Sequence, residues 1–129
     1  MTTQTSQPAP TVFIERLKQA IRVLEEASTR PDIVFNIFHF ASRENGVLNA
    51  CIAGLCGLDP WFQEQGLKTL LDSGIGDITV HPQDFFGTSR PFYYSRYPTE
   101  LRCRDLTFQD GIDALNREIA YLEDPAIAG

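Results

Sequence analysis

Lysine is scarce in this 129-residue chain: Lys18 and Lys68 are the only two, and the 11 basic side chains face 17 acidic ones for a formal net charge of -6. A nucleic-acid backbone is gripped by a dense Lys/Arg surface, so direct nucleic-acid binding is disfavoured. Long apolar runs are also missing, and roughly 18 to 20 such residues are needed to span a bilayer, which argues against a membrane protein. The opening MTTQTSQPAP has neither the basic n-region nor the apolar h-region of a secretory signal, so the expected compartment is cytoplasmic. Three cysteines are an odd number, and in a reducing compartment they stay thiols, which argues against a disulfide framework. Phosphate-binding loops of the G-x-x-x-x-G-K-[ST] type, dinucleotide fingerprints and internal repeats are absent as well, and no cofactor is implied.

What is present is core material. The chain is 43% hydrophobic and 22% charged, with nine Phe, four Tyr and one Trp, enough for one core at a length that buries roughly two thirds of the unfolded surface. Residues 1–10 read as a disordered leader, 11–123 as one globular domain and 124–129 as a tail. In TVFIERLKQAIRVLEEAS, Ile14, Leu17, Ile21 and Leu24 recur at helical spacing and predict an amphipathic helix that ends near Pro31. Residues 33–40 are apolar and aromatic, and fit a helical face as well as an extended strand. Asn45-Gly46 marks a turn, because both residues tolerate positive φ. The following VLNACIAGLCG reads as a short apolar helix stopped by Gly57, and Asp59-Pro60 as the N-cap and first position of another. Residues 67–80 fit either a helical continuation or a β-hairpin around DSGIG, with the hairpin preferred. HPQDFFG reads as a short helix closed by Gly87, and Thr107 caps a last helix carrying Ile112, Leu115, Ile119 and Leu122 on one face.

Chemistry is sparse. On a helix, Cys51 and Cys56 would lie about 140° apart at 3.6 residues per turn, too divergent for one zinc ion, and their Ala, Ile, Leu and Gly neighbours predict buried, inert thiols. No metal site and no catalytic set is therefore assigned. Cys103 differs, since Arg102 and Arg104 bracket it and would lower its pKa if all three lay at the surface; it is the one cysteine whose reactivity merits testing. His39 lies within an aromatic run and reads first as a hydrogen-bonded core residue. Arg90, Phe92, Tyr93, Tyr94, Arg96 and Tyr97 crowd a segment bent by Pro91 and Pro98. Arg and Tyr are the types in which interfaces concentrate binding energy, so this segment is the candidate partner-binding loop, with core cover as the competing reading.

The succession FNIFHFASRENG, ACIAGLCGLDPWFQEQGL, DFFG, YYSRYP and LTFQDGIDALNREI resembles a group of small uncharacterised proteins of bacteria and their phages, over roughly residues 33–120. That group has a Cys-x-x-Gly segment, a Phe-Gln-x-x-Gly-Leu stretch and a Phe-Phe-Gly helix. Where its pattern places a first cysteine this chain has Gly46, so a two-cysteine site would not be intact. The resemblance implies a phage or prophage context and no particular reaction.

Together these readings predict a mainly α, compact, single-domain fold with at most a small β-hairpin at about 67–80. They predict a non-enzymatic protein-binding module, acting on a host protein as a phage-type accessory protein, with homo-oligomerisation open. The alternative is a small enzyme or small-molecule binder using His39 or Cys103 in an aromatic pocket.

Overall fold

The computed structural model describes residues 10–36, 40–72, 75–92 and 106–124. Helix α1 (Pro10–Ala27) is followed by strands β1 (Ile33–Phe35), β2 (Ala41–Glu44) and β3 (Val47–Ala50), then the short helices α2 (Ile52–Cys56) and α3 (Pro60–Gln63). Strands β4 (Thr69–Asp72) and β5 (Ile75–Ile78), helix α4 (Pro82–Phe86), a 3-10 turn (Arg90–Phe92) and helix α5 (Phe108–Glu123) complete the order.

The five strands form one mixed sheet in the order β1-β3-β2-β5-β4. The fold is therefore α+β, and the expectation of a mainly α domain with one small hairpin is overturned by this sheet. Three features hid it. The strands are only three or four residues long, too short for period-2 alternation to stand out. Segment 47–57, expected to be one helix, is a strand to Ala50 and a helix only from Ile52, and no Gly or Pro marks the junction at Cys51. Asn45-Gly46 is more than a turn: with φ of 52° and 80° it joins β2 to β3 as a two-residue hairpin, its backbone matching the twist of the strands it connects. The hairpin preferred for residues 67–80 is present, as the β4/β5 edge of the larger sheet. Of the ambiguous 33–40 segment, Ile33–Phe35 is extended and pairs in parallel with β3, while 37–39 lie outside the described residues.

The long helices follow the sequence more closely. The α1 stripe buries Leu17, Ala20 and Leu24 completely, and a leucine fully removed from water contributes about 2 kcal/mol. Helix α5 starts on a reciprocal capping box: the Thr107 hydroxyl accepts from the Asp110 amide at 3.2 Å, and the Asp110 carboxylate accepts from the Thr107 amide at 2.8 Å. Its buried face carries Ile112, Leu115 and Ile119. Both helices share one core with the sheet residues Phe35, Ala41, Leu48 and Ala50. On the opposite face of the sheet, Val34, Glu44, Leu70 and Asp77 are exposed, so among the described residues the arrangement is two layers, with the helices on one side.

Helix α2 is buried along its whole length. Its approach to the sheet requires Gly54, where a Cβ would overlap the Phe40 carbonyl. Asp59 precedes Pro60 at the start of α3 as the sequence suggests, but its side chain makes no capping hydrogen bond.

Candidate functional site

The N-terminal half of α1 is sealed by aromatics. Phe62 and Phe86 are fully buried, with ring centroids 5.8 Å apart, and Phe92 stacks on Phe86 at 4.7 Å. Arg16 lies over the Phe85 ring at 3.8 Å and donates to the Phe85 carbonyl at 2.7 Å and to the Gln65 side chain at 3.0 Å, tying α1 to α4. Burial lowers the pKa of that guanidinium without discharging it.

The C-terminal half of α1 borders open space. A cleft of about 300 Å3 lies between Gln19, Arg22, Val23, Glu26 and Ala27 of α1, the sheet residues Ile33, Arg43 and Leu48, and Leu55, Leu58, Asp59 and Pro60 at the α2–α3 corner. Its walls are apolar where Val23, Ile33, Leu48 and Leu55 meet, and charged at the mouth. There Arg30 holds Asp32 through two hydrogen bonds of 3.0 and 3.2 Å, which with the charge of Arg43 keeps the Asp32 carboxyl below its usual range. Arg22 donates to Gln19 at 3.1 Å. Arg43, exposed and opposite Leu48 in the β2/β3 register, makes no hydrogen bond or ion pair among the described residues. One carboxylate oxygen of Asp59, Oδ2, is buried with no hydrogen-bond partner among the described residues. Leu58 and Trp61, each 37% exposed, continue the apolar surface outward from the corner.

The residues picked from sequence fall elsewhere. Arg90 donates from Nη2 and Nε to Glu118 at 3.0 Å each, and its guanidinium lies 4.7 Å from the Tyr121 ring. Glu118, only 6% exposed, also accepts from the Thr88 hydroxyl at 2.7 Å. Phe92 is buried. Arg90 ties the 3-10 turn to α5 while about half of its side chain, 52%, stays exposed, and Phe92 packs on Phe86. Tyr93, Tyr94, Arg96, Tyr97, Cys103 and His39 lie outside the described residues. His81 caps α4, its Nδ1 accepting from the Gln83 amide at 3.2 Å.

Cys51 and Cys56 are buried, as their small neighbours predict. Loss of solvent pushes the Cys51 thiol up to about 11, and Cys56 well above its usual value, with the neighbouring Cys51 and Asp59 charges adding to the second shift. Thiols held protonated in this way are poor nucleophiles and poor metal ligands at neutral pH.

Sequence reasoning missed the cleft because its residues come from three separated stretches, 19–33, 43–48 and 55–60. One local signal was readable: Arg43 sits two residues from Ala41 on the same, inward face of β2, where an apolar residue is the rule. No protein-family model, no curated protein and no solved structure matches this chain.

Proposed function

We propose that the protein is a non-enzymatic protein-binding module and that its partner is held at the cleft and at the Leu58–Trp61 corner beside it. The observation that supports this is the pairing of exposed apolar groups, Leu58 and Trp61, with the arginines of the adjoining cleft. Trp and Arg carry a large share of the energy at protein interfaces, because each combines wide apolar contact with directional donors. A cleft of about 300 Å3 is at the small end of ligand sites, enough for one or two side chains of a partner. A phage or prophage accessory protein acting on a host protein in the cytoplasm, the setting that the sequence resemblance implies, belongs to the same proposal.

Affinity capture with cross-linking and mass spectrometry tests it. The wild-type chain is expected to retain a defined partner that a Leu58→Asp, Trp61→Ala variant loses while its melting temperature stays close to wild type. A Tyr94→Ala, Arg96→Ala variant run in parallel asks whether the segment favoured from sequence contributes. If the corner variant keeps every partner and the Tyr94/Arg96 variant loses them, the contact surface lies on that segment. If neither variant changes anything captured, the binding-module reading fails.

A further inference from the structure

Two guanidiniums from different elements line the cleft, Arg22 on α1 and Arg43 on β2. Both side chains are exposed; Arg22 donates to Gln19, and Arg43, whose charge acts on Asp32, makes no hydrogen bond or ion pair among the described residues. Arg30 and Asp32 neutralise each other, and Asp59 is half-buried with Oδ2 sealed inside. Glu26 and the Asp32 side chain are then the exposed carboxylates beside the exposed Arg22, Arg30 and Arg43 in the lining. A guanidinium presents up to five donors in a planar fork that fits a carboxylate through two parallel bonds, so each arginine retains capacity for an incoming anion. Behind the arginines, Val23, Leu48 and Leu55 supply an apolar floor.

We infer that the cleft receives an acidic segment of the partner protein, in which an Asp or Glu reaches Arg43 and Arg22 while an adjacent aliphatic or aromatic side chain enters the space over Val23, Leu48 and Leu55. The inference rests on the binding-module reading and names the partner's chemistry. Its selectivity follows from the rest of the molecule. On a chain of net charge -6, an acidic segment is repelled by most of the surface and attracted where arginines outnumber exposed acids. The corner formed by Leu58, Pro60 and Trp61 extends the apolar contact past the cleft, which favours a peptide over a compact small molecule.

The test is selection of a random peptide library against the immobilised full-length chain. Enriched peptides are expected to carry Asp or Glu next to Leu, Ile, Phe or Trp. The leading peptide, made synthetically with a fluorophore, should bind less tightly at 500 mM than at 50 mM sodium chloride. It should also lose about tenfold in affinity with Arg43→Gln, the loss expected for one charge-assisted contact, and more with Arg22→Gln added. Arg43→Lys should restore only part, because a point charge lacks the fork. Enrichment of peptides without acids, binding unchanged in the double variant, or no enrichment above background each overturns the inference. A captured partner that survives Arg22→Gln, Arg43→Gln but not the Leu58/Trp61 changes would leave the binding-module reading in place and remove only this one.

Discussion

The two halves of α1 rest on different surroundings. Toward its start, Phe13 and Leu17 are buried, and Arg16 is spent on the Phe85 carbonyl and ring face within a cluster of phenylalanines. Toward its end, Arg22 and Glu26, with Arg30 just beyond the helix, line a cleft that no described side chain fills. The core stripe nevertheless runs the whole length of the helix, through Leu17, Ala20, Leu24 and Ala27, and over the last turns the exposed Arg22 and Glu26 border the cleft. Buried and exposed residues of those turns lie on different faces, so the cleft side chains can be altered with little effect on the core.

Substitutions at the two ends sharpen this contrast. Phe86→Ala should produce the largest effect, a loss of about 3 to 5 kcal/mol in urea denaturation, because Phe86 is fully buried against Phe62, Phe85 and Phe92 and the void cannot collapse. A smaller effect comes from the thiols beneath the centre of the helix layer. An unfolded Cys51 ionises near 9.0 and the folded one near 11, so above pH 9 the unfolded chain releases a proton that the folded chain keeps. Stability is therefore unaffected by this group below pH 9 and falls as pH rises toward 11, by about 1 kcal/mol from Cys51 at pH 10. Denaturation midpoints at pH 8 and pH 10 should drop further in wild type than in a Cys51→Ala, Cys56→Ala variant. The smallest change is expected at the open end, where Arg22→Gln, Arg43→Gln should shift stability by no more than about 0.5 kcal/mol, since both side chains are exposed and neither makes an ion pair among the described residues. A large loss there would show that the cleft arginines hold the fold, and the separation would be wrong.

What the sequence made legible follows the range over which its signals act. Both long helices, the Thr107 cap, the Gly87 stop of α4 and the burial of Cys51 and Cys56 depend on neighbours within one or two turns, and all are found in the structure. The sheet depends on pairing between strands of three or four residues, where local preference is weak and tertiary context decides. Asn45-Gly46 carried the strongest clue, and reading it as a hairpin would have converted Val47–Ala50 from helix to strand. The cleft is less legible still. Arg22, Arg43 and Asp59 have no relation in sequence, and only the tertiary fold brings them into one lining. The sequence also does not show that Phe92 is buried or that Arg90, though half exposed, pairs with a buried Glu118, because an arginine beside an aromatic residue looks the same in either setting.

The strand order also bears on how the chain reaches this state. β3 lies between β1 and β2, so a later strand is inserted between two earlier ones. The β2/β3 hairpin closes over a two-residue turn, a fast local event, whereas β1 docks on β3 only after a longer loop has closed. We therefore expect β1 to join last and leave first. In native-state hydrogen exchange the Asn36 amide, bonded to Ala50 across the β1/β3 pairing, should exchange faster than the β2/β3 amides, and equal protection would refute that order. The first wall of the cleft to loosen would then be the one that carries Ile33.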